Sequence, residues 1–397
     1  MFKVSDRLAS LSLSPTLAMS QKSRELQQKG VDVINLSVGE PDFDTPNHIK
    51  QAAKEAIDQN YSHYSPVPGF VELRQAVVEK LKRDNNLLYT PEQIVVSNGA
   101  KQSIANVMLS VVNPGDEVII PSPYWVSYCE IVKLAQGKSV FIETSLEQDF
   151  KITPEQLEAA IGPKTRAFLF SSPSNPTGSL YSYDELKALS EVFARYPQIV
   201  ILSDEIYEHI NYMGAHESIA QFASVANQVV VINGVSKGYA MTGWRIGYIA
   251  APLWIAKACT KLQGQMTSGA STIAQMASVA ALIGDQSTTH SMREAFRQRR
   301  DKAYEMMKEI PGFRIRKPNG AFYLFPEVSQ LFGKKNGSIT IENATDLSLY
   351  LLDSVFVATV TGEAFGDPNC LRFSYATSEE KMAEAIKRVK GAIEKLS

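Results

Sequence analysis

Residues 94–120 read IVVSNGAKQSIANVMLSVVNPGDEVII. Ile94-Val95-Val96 is a β-branched run without polar alternation, as expected of a strand covered on both faces of a sheet. Gly99 supplies a turn, residues 100–112 have helical character, and Asn113-Pro114-Gly115-Asp116 breaks the chain before the next apolar run, Val118-Ile119-Ile120. Strand, helix and strand in quick succession are the repeating unit of a layered α/β sheet.

The alternation extends in both directions. Upstream, Thr45-Pro46 opens a helix that reads through Ile57, with proline in the first turn where its missing N–H is harmless. Residues 70–85 predict a second helix. Downstream, 140–143, 167–170, 199–202, 229–232 and 246–250 are strand candidates, with helices expected over 154–161 and 183–194. Residues 46–285 therefore predict a large domain with a mostly parallel sheet between helices. The texture then changes. Residues 286–309 predict a long polar helix carrying Arg293, Arg297, Arg299 and Arg300. Short runs at 313–315, 321–324, 355–357 and 371–373 and a closing amphipathic helix from Glu379 suggest a smaller α+β domain over 286–397. Residues 1–45 are expected to pack on that smaller domain and close the cleft.

Composition narrows the function classes. Of 397 residues, 44% are hydrophobic and 21% charged, an ordinary globular balance. The formal charge of −2 gives no electrostatic footprint for nucleic acid or an anionic membrane. No apolar run approaches the ~18 residues needed to span a bilayer, and 8–19 is too broken by serines and Pro15 for a signal peptide. Cys129, Cys259 and Cys370 are scattered and odd in number, so neither a disulfide framework nor a metal site is expected, and a cytoplasmic setting fits.

Ligands in open α/β sheets bind beyond the carboxyl ends of strands, so the loops there carry the chemistry. Ser97-Asn98-Gly99-Ala100-Lys101 leaves backbone N–H groups free at a helix start, a ready anion site. Ser172-Pro173-Ser174-Asn175-Pro176-Thr177-Gly178 sets Asn175 between two stiff X-Pro steps. Ser203-Asp204-Glu205-Ile206-Tyr207 ends an apolar run with a carboxylate that needs a cationic partner or a capping role. Gly234-Val235-Ser236-Lys237-Gly238 puts a lysine among glycines, and Arg245 follows eight residues on. The same five residues match the G-x-S-x-G elbow of serine hydrolases, with Ser236 as nucleophile. That reading fails, because the sole later histidine is His290 and the nearest preceding acid, Asp285, is five residues from it.

Taken together, the loops resemble the class I/II aminotransferases, the fold-type I pyridoxal phosphate enzymes. The resemblance runs through Asn35 to Pro46, Ser172 to Gly178, Ser203 to Tyr207, the S-K-x-x-x-M-x-G-W-R-x-G pattern of Ser236 to Gly247, and Arg372-Phe373-Ser374. It implies a seven-stranded-type sheet, pyridoxal 5'-phosphate as cofactor and no metal. Lys237 would hold the cofactor as a Schiff base and then move the proton at the substrate's Cα. Asp204 would pair with the pyridine nitrogen, Asn175 and Tyr207 with the phenolic oxygen, and Trp125 would stack on the ring. Gly99, Ala100, Lys101, Ser236 and Arg245 would hold the phosphate, joined by Tyr64 from a second subunit of a homodimer. Arg372, with Gly39, Trp125 and Asn175 nearby, would grip the substrate carboxylate.

Within the family the texture is similar to the bacterial aspartate aminotransferases, notably at Tyr124-Trp125-Val126-Ser127-Tyr128 and 372–378. That likeness implies Lys101 for a distal carboxylate, helped by Ser14 and Thr16, and transfer from L-aspartate to 2-oxoglutarate. A related enzyme acting on prephenate, aromatic or branched amino acids is the main alternative, and a PLP lyase or racemase a further one. A regulator that senses the cofactor would need a DNA-binding domain for which the residues before the α/β region are too few.

Overall fold

The computed structural model describes residues 3–12 and 15–397, with the backbone alone for 15–17. Seven strands form the central sheet: β1 (Ile94–Ser97), β2 (Glu117–Ser122), β3 (Lys138–Glu143), β4 (Thr165–Ser171), β5 (Val200–Asp204), β6 (Val229–Gly234) and β7 (Gly247–Ala250). Their order is β1-β7-β6-β5-β4-β2-β3. All neighbours pair in parallel except β7, which runs against both β1 and β6. The mostly parallel seven-stranded sheet expected from the sequence is thus present, with each strand within two residues of its expected bounds.

Both faces of the sheet are dry, which is why the strands read as unbroken apolar runs. Successive residues point to opposite sides, so Val96, Phe168, Ile201 and Val231 join one buried cluster while Val95, Leu169, Leu202 and Val230 join another. Helices Val71–Asn85 and Thr272–Ile283 supply side chains to the first, and Ala100–Val111 and Leu253–Met266 to the second. The outer strand β3 is different. Its alternate residues reach solvent, as edge strands that resist further pairing do.

A third cluster lies in the C-terminal part of the chain. Helices Ser287–Met307, Ala344–Val355 and Glu379–Ile393 pack there against a three-stranded antiparallel sheet of β8 (Tyr323–Leu324), β9 (Val360–Thr361) and β10 (Leu371–Ser374), ordered β9-β10-β8. The N-terminal chain joins this cluster through Ile34 and Leu36, and Ile34–Asn35 pairs in parallel with Val357–Ala358.

Three local expectations are corrected. Residues 313–315 form no strand; Arg314 makes one isolated bridge to Glu327, and its side chain pairs with Glu147 and Glu327. Val355 ends a helix, and Phe356 turns the chain in the left-handed region (φ 56°) before the pairing starts at Val357. Pro46 precedes the first residue of the helix Asn47–Asp58 rather than lying within it. No helix of the described residues is long and apolar enough to cross a membrane.

Candidate active site

The chemistry-bearing loops converge because the strands share one carboxyl edge. Asp204 is the last residue of β5, β6 ends at Gly234 just before Ser236 and Lys237, and β4 ends at Ser171 just before the Asn175 loop. β7 starts at this edge because it is reversed, so Arg245 arrives there two residues before the strand begins. Gly247 then faces both Ser97 and Gly234 across the ladder.

A cavity of about 420 Å³ opens at this edge. Its wall brings together Gly39, Ala100, Lys101, Trp125, Asn175, Asp204, Tyr207, Ser236, Lys237, Arg245 and Arg372. These residues lie up to 333 positions apart in the chain (39 to 372), and the fold alone makes them neighbours.

Two titratable groups there are displaced toward each other. Burial pushes the Asp204 carboxyl up to about 6, against the pull of a hydrogen bond from the Tyr128 hydroxyl to Oδ2 (2.6 Å). Burial likewise brings the Lys237 amine down to about 8; Glu40 resists this, while the charges of Arg372 and Arg245 assist it. Lys237 Nζ donates to the Gly39 carbonyl (2.5 Å) and stands 5.8 Å from the centre of the Tyr207 ring. A carboxyl and an amine so tuned sit near the range useful for proton transfer at neutral pH.

Arg372 is buried on β10, and its guanidinium is partly committed. Nη1 donates to Asn175 Oδ1 (3.0 Å) and Nη2 to the Ser37 carbonyl (2.6 Å), while Nε has no partner among the described residues. A buried guanidinium nitrogen without an acceptor fits an anionic ligand. Lys101 is open to the cavity, its ammonium 5.0 Å from the centre of the Trp125 ring. The protein packed around that ammonium, and secondly the charge of Arg245, lower its pKa.

The donor set suits pyridoxal phosphate. At one end, the helix Ala100–Val111 starts behind Gly99 (φ 85°) with no side-chain cap, leaving its first N–H groups for an anion. A Cβ at Gly99 would run into the Arg245 guanidinium, and one at Gly247 into the Ala100 backbone, so both positions demand glycine. Arg245, itself left-handed (φ 58°), is held to this cradle by bonds to the carbonyls of Thr242 (2.9 Å) and Asn98 (3.2 Å). At the other end lie a buried acid, Asp204, with no salt-bridge partner among the described residues, and the partly buried amine of Lys237.

The remaining sequence candidates fall elsewhere. Tyr64 is 97% exposed and lines no part of the cavity. Ser14 lies outside the described residues, as does the side chain of Thr16. His290 and Asp285 are both exposed at one end of helix Ser287–Met307, which leaves Ser236 without the machinery of a hydrolase. Tyr128, Tyr323 and Thr242 also line the cavity and were not anticipated. Tyr128 lies in the first turn of the helix Ser127–Leu134 and packs edge-on to Trp125, with ring centres 5.5 Å apart. Nothing in the local sequence marks Tyr323.

Residues 31–389 match the family model for aminotransferase class I and II. The chain is 46% identical over 397 residues to an aspartate aminotransferase of Bacillus subtilis, covering 100% of both chains. It is 46% identical over 396 residues to an aspartate/prephenate aminotransferase of Nitrosomonas europaea, covering 98% of each. Among solved structures, the aspartate aminotransferase of Rhizobium meliloti superimposes with a TM-score of 0.97 at 43% identity over 100% of both chains. That of Thermus thermophilus with maleate gives 0.93 at 39% identity, over 99% of this chain and 100% of the other.

Proposed function

Because the chain belongs to the class I and II aminotransferases, we propose that it moves the amino group of L-aspartate to 2-oxoglutarate, giving oxaloacetate and L-glutamate in a ping-pong cycle. The observation that carries this reading is the cavity in which Lys237, Asp204, Tyr207 and Arg372 face one another. Pyridoxal 5'-phosphate, the family's cofactor, supplies when bound an aldehyde that captures amines and a ring that takes up the electron pair of the substrate's Cα–H bond.

The protein's own residues then have distinct tasks. Lys237 tethers the cofactor covalently and, once released, carries the proton from substrate Cα; its lowered pKa keeps part of the amine neutral for that work. Asp204 holds the proton at the ring nitrogen, and the cationic ring supplies the charge partner that a buried carboxylate requires. Asn175 and Tyr207 donate to the ring oxygen, and Trp125 covers the ring face. Gly99, Ala100 and Lys101 main-chain groups, Ser236 and Arg245 bind the phosphate, the arginine through its planar fork. Arg372 takes the α-carboxylate bidentately beside Gly39 and Asn175.

Lys101 is proposed to read the distal carboxylate of a dicarboxylic substrate, with Ser14 and Thr16 beside it. The Thermus relative's structure with maleate, a dicarboxylate, supports that reading. The exposed Tyr64 supports a homodimer in which it reaches the partner's phosphate site. We also place the protein in the cytoplasm, a reading supported by its three buried, unpaired cysteines. Residues 46–285 are proposed as the cofactor-binding domain, 286–397 as the smaller domain, and 1–45 as the segment that closes over the site.

Prephenate is a second amino acceptor to consider, because the Nitrosomonas relative is named for both substrates. The test is a panel of amino donors and acceptors with the purified, cofactor-loaded protein. Aspartate with 2-oxoglutarate should yield oxaloacetate, and Lys237→Ala should lose both turnover and the borohydride-reducible adduct. A mutant that keeps the adduct would overturn the assignment of Lys237.

A further inference from the structure

Tyr207 and Tyr323 come from different buried parts of the molecule, yet their hydroxyl oxygens are 2.7 Å apart, with both side chains buried at the cavity wall. Tyr207 follows β5 of the large sheet; Tyr323 opens β8, whose register sets it opposite Ser374, two residues from Arg372. The Tyr323 hydroxyl also lies against Gly39, where an added Cβ would come within 2.7 Å of it. Its ring lies under the Arg372 guanidinium, 4.6 Å from the ring centre.

Hydrogen-bond accounting limits how this pair can be arranged. Each hydroxyl has one proton to donate. Among the described residues, Tyr323 Oη has no acceptor other than Tyr207 Oη, and Tyr207 Oη has no other protein partner. A buried hydroxyl whose proton has no acceptor is costly. Both tyrosines border the cavity, so the proton left over from the pair points into it; with Tyr207 as the residue that faces the cofactor, Tyr323 donates to Tyr207 and Tyr207 turns its own proton inward.

We propose that Tyr323 is a positioning residue that donates its hydroxyl proton to Tyr207, aiming the Tyr207 proton at the oxygen of the bound cofactor while its ring fixes the plane of Arg372. The inference rests on the reading of Tyr207 as a cofactor-facing donor. It makes one side chain the link between the phenol at the cofactor and the arginine at the substrate carboxylate. Hydrogen bonds in such a chain polarise one another, so the Tyr207 proton is a stronger donor with Tyr323 behind it.

Tyr323→Phe deletes the hydroxyl and keeps the ring over Arg372. Two measurements follow: the affinity of the apoenzyme for pyridoxal phosphate, by equilibrium titration, and the pH midpoint of the visible colour change of the loaded enzyme. A donor at the ring oxygen stabilises that oxygen's anionic form and lowers the midpoint, so losing the relay should raise it. Affinity should fall by roughly three- to tenfold, as for one hydrogen bond. Tyr207→Phe should move both readouts at least as far, and Tyr207→Phe with Tyr323→Phe no further than Tyr207→Phe alone, because a relay is not additive. A structural role would lower the melting temperature without moving the midpoint. An unchanged midpoint in Tyr323→Phe, or fully additive shifts in the double variant, would overturn the relay. Should Tyr323→Phe fail to load, the pair of Tyr207 variants still decides. A wild-type apoenzyme that takes up no pyridoxal phosphate would instead defeat the underlying reading.

Discussion

The Tyr128 hydroxyl donates to Oδ2 of Asp204 at 2.6 Å, and the Ile206 N–H reaches Oδ1 at 3.3 Å. The acid at the tip of β5 is therefore oriented from two sides before any cation meets it. Both bonds favour the ionised carboxylate, and burial opposes them.

Removing the phenolic donor should release that restraint. In Tyr128→Phe the Asp204 pKa rises above about 6. The pH below which the apoenzyme loses affinity for pyridoxal phosphate should move up by roughly one unit, the worth of one hydrogen bond to a charged acceptor. A titration of cofactor affinity between acid and neutral pH checks this.

The raised pKa of Asp204 also makes it a burden on the apoenzyme. Its folded value of about 6 lies above the ordinary aspartate value, so its contribution is fully favourable below the latter and lost as pH rises through the former. The shift is worth roughly 3 kcal/mol. Apo Asp204→Asn should therefore gain on the wild type by about that much between pH 4 and 7, read as the difference in unfolding free energy. Added pyridoxal phosphate should reverse the order, stabilising the wild type more than the variant.

Lys101 should divide substrates by charge. Lys101→Ala is expected to weaken catalysis with dicarboxylic donors by about 2–5 kcal/mol and to leave alanine or phenylalanine little changed. Equal losses for all donors would assign its ammonium to the phosphate instead. Comparison of kcat/KM across the three donors distinguishes the outcomes.

A buried ion pair behind the site predicts a stability effect. Lys80 and Glu208 are both enclosed and paired, and Glu208 also accepts from Asn233 at 2.5 Å. Burial alone would raise the Glu208 carboxyl; the charge of Lys80 holds it down at about 2. Lys80→Met leaves that carboxylate unpaired and should cost about 3–5 kcal/mol by denaturant unfolding. Glu208 adjoins Tyr207, so cofactor affinity should fall as well.

The local sequence determined much of this. Short β-branched apolar runs such as 199–202 and 229–232 read as strands covered on both sides, and Gly99 and Asn113-Pro114-Gly115-Asp116 mark where the chain turns, because backbone sterics act over a few residues. Lys237, Asp204 and Asn175 stood out because a charge or a stiff amide at the end of an apolar run needs an explanation. Tyr323 had no such mark: in Ala321-Phe322-Tyr323-Leu324 it reads as one more core aromatic. Its meeting with Tyr207, 116 residues earlier, depends on how β8 is registered on β10 and how that sheet meets the end of β5. The same holds for Arg245, which reaches the Gly99 turn because β7 alone is reversed. The displaced pKa values of Asp204 and Lys237 follow from burial, which is a property of packing. Short-range sterics and hydrophobic periodicity are written into neighbouring residues; proximity across the chain, and the dry surroundings that tune a charge, come from the assembled fold.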